Sequence, residues 1–153
     1  MKQSIKRTID RHQYPVSEVL FEDSEQLHLV VHDVKLTFFS YPYQIDAPVD
    51  FEQIIHMPDL LTLAAMKAYA LGSRAKWKDY VDLYILLKDH FSLSQISNKS
   101  KDLFGVYYNE KLFREQLCYF QDLDHSEKVD FVVQAVSDEE IKQFLTDIAT
   151  APF

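Results

Sequence analysis

Glycine is almost missing from this chain: its 153 residues include two, Gly72 and Gly105. A phosphate-binding P-loop or a dinucleotide fingerprint needs several glycines close together, because only glycine lets the backbone turn tightly against a phosphate. Neither can be built here, so any bound nucleotide would be held by side chains and metal. Cysteine is scarcer still. Cys118 stands alone, which excludes a disulfide within the chain and fits a reducing, cytoplasmic setting. No apolar run approaches the roughly 20 residues of a membrane helix. The opening "MKQSIKRTIDRHQ" is basic but has no apolar centre, so no secretory signal is expected.

What is present is apolar and acidic. The chain is 47% hydrophobic and 14% aromatic, enough for a sizeable core and too much for global disorder. A formal net charge of −8 argues against coating nucleic acid and leaves room for a local basic cleft. The length suits one domain over residues 1–153, with a β region and leading helix in 1–50 and a helical subdomain in 51–153.

Residues 1–12 pattern as an amphipathic helix ended by Pro15. "VSEVLFE" (16–22), "LHLVVH" (27–32) and "VKLTFFSY" (34–41) alternate with period two. Their short gaps predict an antiparallel meander with a tight turn near His32 and Asp33. The stretch 41–50, with two prolines, reads as a loop. From Asp59 the pattern turns helical. Pro58-Asp59 opens one helix, and Gly72-Ser73 ends or jogs it. "RAKWKDYVDLYILLKDH" makes the next. Ser92 and Asn109 cap two more, and Ser137 with Glu140 forms a capping-box pattern before the last. The expected fold class is α+β: an antiparallel β-meander of about three strands, then about five helices. The acidic residues between Asp122 and Asp147 read as a solvated face.

The most informative stretch is "MKAYALGSRAKWKDYVDLY" (66–84), where charges interrupt an apolar pattern. On one ideal helix at 100° per residue, Lys67, Leu71, Arg74 and Lys78 share a stripe. Asp82 then falls one turn beyond Lys78, within pairing reach, and Asp79 lies well round from the stripe. Such cations beside a carboxylate could cradle a triphosphate, with arginine giving bidentate hydrogen bonds and lysine point charge. The carboxylate could orient them or help hold Mg²⁺. The plainer reading is snorkelling lysines and a surface Lys78–Asp82 pair worth under about 1 kcal/mol, and the pattern alone favours it. Gly72-Ser73 followed by Asp79 and Asp82 is not a nucleotidyltransferase "GS … D-x-D" signature: there the carboxylates are two apart on a strand and face one way, whereas here they are three apart in a helix.

Other chemistry-bearing residues carry less. His28 and His32 share a strand face without an evident third metal ligand. Cys118 sits among apolar neighbours, as a packing residue does. Tyr41, Tyr43, Tyr107 and Tyr108 could stack bases, but aromatic residues in loops beside a core are more often packing residues.

The stretch "LAAMKAYALGSRAKWKDYVDLYILLKDHFSL" resembles the C-terminal signature of the AbiEii/AbiGii nucleotidyltransferase toxin family: a lysine on one helix, then an arginine, then Lys/Arg-Asp-x-x-Asp-Leu. "HDVKLTFFSYPY" is similar to that family's strand hairpin, and "FGVYYNEKLFREQLCYFQDLD" to its closing helices. The resemblance implies a partial polymerase-β-like sheet and Mg²⁺-dependent transfer of a nucleotide from an NTP to an RNA or protein acceptor, in a toxin–antitoxin or phage-defence setting. Carried over, Lys67 would contact the triphosphate, and Arg74 and Lys78 would support the phosphates or the acceptor. Asp79 and Asp82 match the family's acidic pair, with Asp79 nearer the active centre and Asp82 an orienting or helix-packing partner.

The departures matter equally. The family's N-terminal Gly-Gly/Gly-Ser unit ending in Asp-x-Asp has no counterpart ahead of the strands. Thr37 stands where many nucleotidyltransferases place a third carboxylate. The expectation is a truncated chain, inactive alone, with an antitoxin, a complementary N-terminal chain or a second copy as partner. The alternative is a non-catalytic remnant that binds nucleotide or another chain.

Overall fold

The alternation of Leu27, Leu29 and Val31 decides the first part of the fold. In the computed structural model, which describes residues 2–132 and 134–152, these three side chains point to one face of a sheet and are buried. The sheet comprises β1 (Val16–Glu22), β2 (Gln26–Val31) and β3 (Val34–Phe39), in that order, and both pairings are antiparallel. Helix α1 (Lys2–Arg11) adds Ile9 to this core, with Ile5, Leu36 and Phe38 packed around it.

Both turns of the meander are made by short polar residues. His32 and Asp33 take left-handed φ values of 47° and 61°, so Val31 pairs directly with Val34 in the mirror-image turn geometry that suits strand twist. Asp23 closes the other turn by accepting from the backbone N–H groups of Glu25 (2.8 Å) and Gln26 (2.7 Å). β1 is exposed along its length and carries two register irregularities against β2.

This meander and α1 form one compact unit, Met1–Pro42; the rest, Tyr43–Phe153, forms another. The second unit opens with a hairpin the sequence pattern missed: β4 (Val49–Phe51) pairs with β5 (Ile55–Met57), so the loop predicted over 41–50 runs into a strand. The turn is carried by Glu52 and Gln53 at φ 54° and 57°, residue types that seldom announce a left-handed turn. Asp50 supports it by accepting from Gln53 N–H at 2.8 Å.

Five α-helices follow among the described residues: α2 (Leu60–Leu71), α3 (Trp77–Asp89), α4 (Leu93–Phe104), α5 (Glu110–Leu117) and α6 (Asp138–Thr150). Asp59 caps α2 by accepting from Thr62 N–H at 2.7 Å. Ala64, Ala65 and Ala68 of α2 are buried, and Ser100 on α4 donates its hydroxyl to the Ile96 carbonyl at 2.8 Å and across to the Ala65 carbonyl at 3.4 Å. α2 packs against α3, α4 and α5, and α3 against α2 and α6: Tyr80, Leu83 and Tyr84 on α3 are fully buried or nearly so, as are Ile96 on α4, Leu117 on α5, and Ile141 and Leu145 on α6.

Ser92 and Ser137 cap α4 and α6 as expected, but the capping box moves. Ser137 does cap α6 by accepting from Glu140 N–H. The Glu140 carboxylate, however, receives the Tyr84 hydroxyl at 2.8 Å and Lys88 at 3.3 Å, so that box is half made. The complete box is at α4, between Ser92 and Gln95.

Candidate functional site

The single helix assumed for residues 60–88 is two. α2 ends at Leu71 with Gly72 as its cap, and α3 begins after Lys76, whose ψ of 128° is extended. Ser73 donates its hydroxyl back to the Ala70 carbonyl at 2.9 Å, finishing the α2 terminus. The far side of the break is tied down by residue 124: Trp77 N–H donates to the Asp124 carbonyl (3.0 Å), and Asp124 N–H to the Ala75 carbonyl (2.8 Å).

This turn brings Asp79 back under α2. Asp79 is 0% exposed, and both its oxygens are taken by cations. Lys67 Nζ donates to Oδ1 at 2.8 Å. Arg74 donates Nε to Oδ2 at 2.9 Å and Nη2 to Oδ1 at 3.3 Å. A buried carboxylate survives only when paired in this way. Asp82, one turn further along α3, takes Lys67 Nζ at 2.5 Å and remains 46% exposed.

The cluster therefore joins four of the five residues singled out from the sequence: Lys67, Arg74, Asp79 and Asp82. The single-helix stripe put Asp79 away from the cations, and the break between α2 and α3 overturns that placement. The expected Lys78–Asp82 pair, both members of which lie on α3, gives way because Lys67 takes Asp82. Lys78 reaches Glu127 instead, and Lys76 reaches the same carboxylate. Glu127 went unnoticed in the sequence because 49 residues separate it from Lys78. The acidic stretch read as a solvated face thus contributes one clamp on the start of α3 and, through Glu140, a second contact on its end.

The electrostatics follow from these partners. Burial pulls the Lys67 ammonium down, but Asp79 and Asp82 together outweigh it, and the net shift is upward. Lysines 76 and 78 hold the Glu127 carboxyl well below the usual range. Beneath the cluster, burial and the Asp79 charge push the Tyr80 phenol up to about 12.

Chemically, two cations face two carboxylates, and Asp79 fixes the angles of both cations. Lysine has three N–H donors and arginine five, so each keeps donors beyond those spent here. The half-exposed Asp82 is the carboxylate of the cluster open to solvent. Mg²⁺ demands near-octahedral oxygen ligation from one or two carboxylates plus phosphates and waters. With both Asp79 oxygens committed, the cluster does not form a protein cage for that ion, and no group of three or more His, Cys, Asp or Glu suited to a metal occurs among the described residues. No helix among them is long and apolar enough to cross a membrane.

An uncharacterized protein of Aquifex aeolicus strain VF5 is 27% identical over 124 residues, which are 78% of this chain and 58% of that relative. The chain thus spans little more than half the relative's length. No solved structure matches it. Residues 6–152 match the family described as nucleotidyl transferase AbiEii toxin, type IV toxin–antitoxin system. The match takes in the meander and both helices of the ionic cluster, and the chain belongs to the AbiEii nucleotidyl transferase toxin family.

Proposed function

We propose that this chain supplies the nucleotide-holding helices of a nucleotidyltransferase-type toxin that moves a nucleotide from an NTP to an RNA or protein acceptor. The observation that supports the reading is the buried Asp79, which holds Lys67 and Arg74 at fixed angles. Preorganised cations bind a triphosphate without first paying the entropy of ordering their own side chains. Lys67 and Arg74 hold the phosphates with the donors Asp79 leaves over. Lys78, engaged by Glu127, serves the acceptor side.

In this reading Asp79 is a positioning residue, and Asp82 is the carboxylate that can reach a ligand. One accessible carboxylate is fewer than two-metal phosphoryl chemistry uses. The chain alone accordingly binds nucleotide, and the remaining carboxylates come from a complementary chain or segment. Mg²⁺ accompanies the triphosphate as its counter-ion, and an antitoxin, with a role in phage defence, belongs to the same proposal.

The test is NTP·Mg²⁺ binding to the purified chain by calorimetry. Lys67→Gln keeps one donor for Asp79 and removes the charge, so affinity should fall tenfold or more while the circular dichroism spectrum is retained. Unchanged affinity, or no binding by the wild type, would sink the assignment. Incorporation of labelled nucleotide into RNA or protein by the chain alone would refute the binding-only part.

A further inference from the structure

α2 and α3 carry complementary stripes on their facing sides. On α2 these are Leu60, Leu63 and Lys67; on α3, Asp82, Ile85 and Leu86. Together with His90 they line an open groove of about 300 Å³. Its composition is graded. Four aliphatic side chains make the walls, and the Lys67–Asp82 pair closes one end at 2.5 Å. Leu60 is 44% exposed, and Leu63 and Ile85 are half-buried, so the helix–helix packing leaves this apolar surface uncovered. A concave, largely apolar site with a few convergent polar groups is the usual form of a small-molecule site.

The ligand is constrained by that grading. It needs an apolar body for the Leu60–Ile85 end and polar groups for Lys67 and Asp82. From Leu60 to Lys67 the helix rises about 10 Å at 1.5 Å per residue. Arg74 lies beyond, in the break, so anionic groups would fall past Lys67 rather than in the groove. The exposed Asp82 carboxylate can only accept hydrogen bonds, which suits a hydroxyl or an amino group at the junction. A phosphorylated nucleoside has these parts in this order: a flat ring, a hydroxylated sugar, then phosphates.

We propose that the groove between α2 and α3 takes the nucleoside half of the bound nucleotide, ring against Leu63 and Ile85 and sugar beside Asp82. This rests on the phosphate assignment of Lys67 and Arg74 and adds the source of nucleoside affinity. The experiment compares inorganic tripolyphosphate with the four common NTPs, each with Mg²⁺, on the full chain by calorimetry. Tripolyphosphate reports the cationic end alone.

At least one NTP should bind the wild type tenfold or more tighter than tripolyphosphate. Ile85→Trp, which fills the groove, and Leu63→Ser, which removes one wall, should each abolish that advantage and leave tripolyphosphate affinity within about twofold. Equal affinity of wild type for tripolyphosphate and every NTP would overturn the groove assignment and leave the phosphate reading standing. So would an NTP advantage that survives both variants, or a parallel loss of both ligands in each. Failure of wild type to bind either probe would overturn both readings.

Discussion

Arg74 and Asp79 meet across the break between α2 and α3 in a two-point contact, Nε to Oδ2 at 2.9 Å and Nη2 to Oδ1 at 3.3 Å. One partner is 47% exposed and the other fully buried, and that asymmetry sets what each substitution does. Removing Arg74 leaves Asp79 buried with Lys67 as its remaining cation. Removing the Asp79 charge leaves two cations that can turn to water. With Lys67 still compensating Asp79, Arg74→Ala should destabilise by about 2 kcal/mol, as should Asp79→Asn, the scale of lost hydrogen bonds to a charged group. The double variant should be less destabilised than the sum, with a coupling of about 1–3 kcal/mol. Urea unfolding of the four proteins measures this; additivity would show that the contact carries no energy of its own.

Glu127 gives the start of α3 an acid-sensitive tether. Its carboxyl is lowered from the ordinary 4.5 to about 2 by Lys76 and Lys78. A depressed carboxyl contributes stability above its unfolded value, and that contribution is lost as pH falls through the folded value. The window is thus pH 4.5 down to about 2. Trp77, the chain's one tryptophan, lies beside it: its ring stacks on His125 with centroids 5.5 Å apart, and its backbone N–H donates to the Asp124 carbonyl. Tryptophan fluorescence should change across that window in the wild type and stay flat in Glu127→Gln. A change of equal size in the variant would move the acid response to some other group.

The fold was more legible than the site. Period-two alternation at Leu27, Leu29 and Val31 revealed the meander, because the buried face of a sheet imposes it. Ser92, Asn109 and Ser137 marked three helix starts as caps, because orphan N–H groups at a helix end need a short polar side chain nearby, and Pro58-Asp59 marked a fourth. The β4–β5 hairpin escaped because Glu52 and Gln53 make its turn without glycine or asparagine.

At the site, residue types and motif were readable and the pairing was not. A helix wheel places Lys78 against Asp82; the break at residues 72–76 rotates α3 so that Lys67 takes Asp82 and Asp79 instead. Nothing local signals Glu127, whose partners come from tertiary folding alone.

Tyr80 couples this cluster to the next helix. It is fully buried, and its one hydroxyl proton is shared between the carbonyls of Gln116 (3.1 Å) and Tyr119 (2.9 Å) at the end of α5. Those carbonyls belong to the last turn of a helix and its exit, where i→i+4 donors run out, and Gln116 O also accepts from Tyr119 N–H at 2.9 Å. Tyr80→Phe keeps the ring and removes this donor from both carbonyls, while Gln116 O keeps its bond from Tyr119 N–H, so it should cost about 1 kcal/mol, the scale of one hydrogen bond. The phenol also has a pH signature. Burial and the Asp79 charge raise it from 10.0 to about 12, so the unfolded chain ionises first and stability falls as pH rises through that interval. Lys67, also shifted upward, adds a loss in the same direction. Stability measured against pH should therefore fall less steeply above pH 10 in Tyr80→Phe than in the wild type, while keeping the Lys67 part. Identical slopes would mean that the phenol is hydrated in solution and that the α5 carbonyls find another donor.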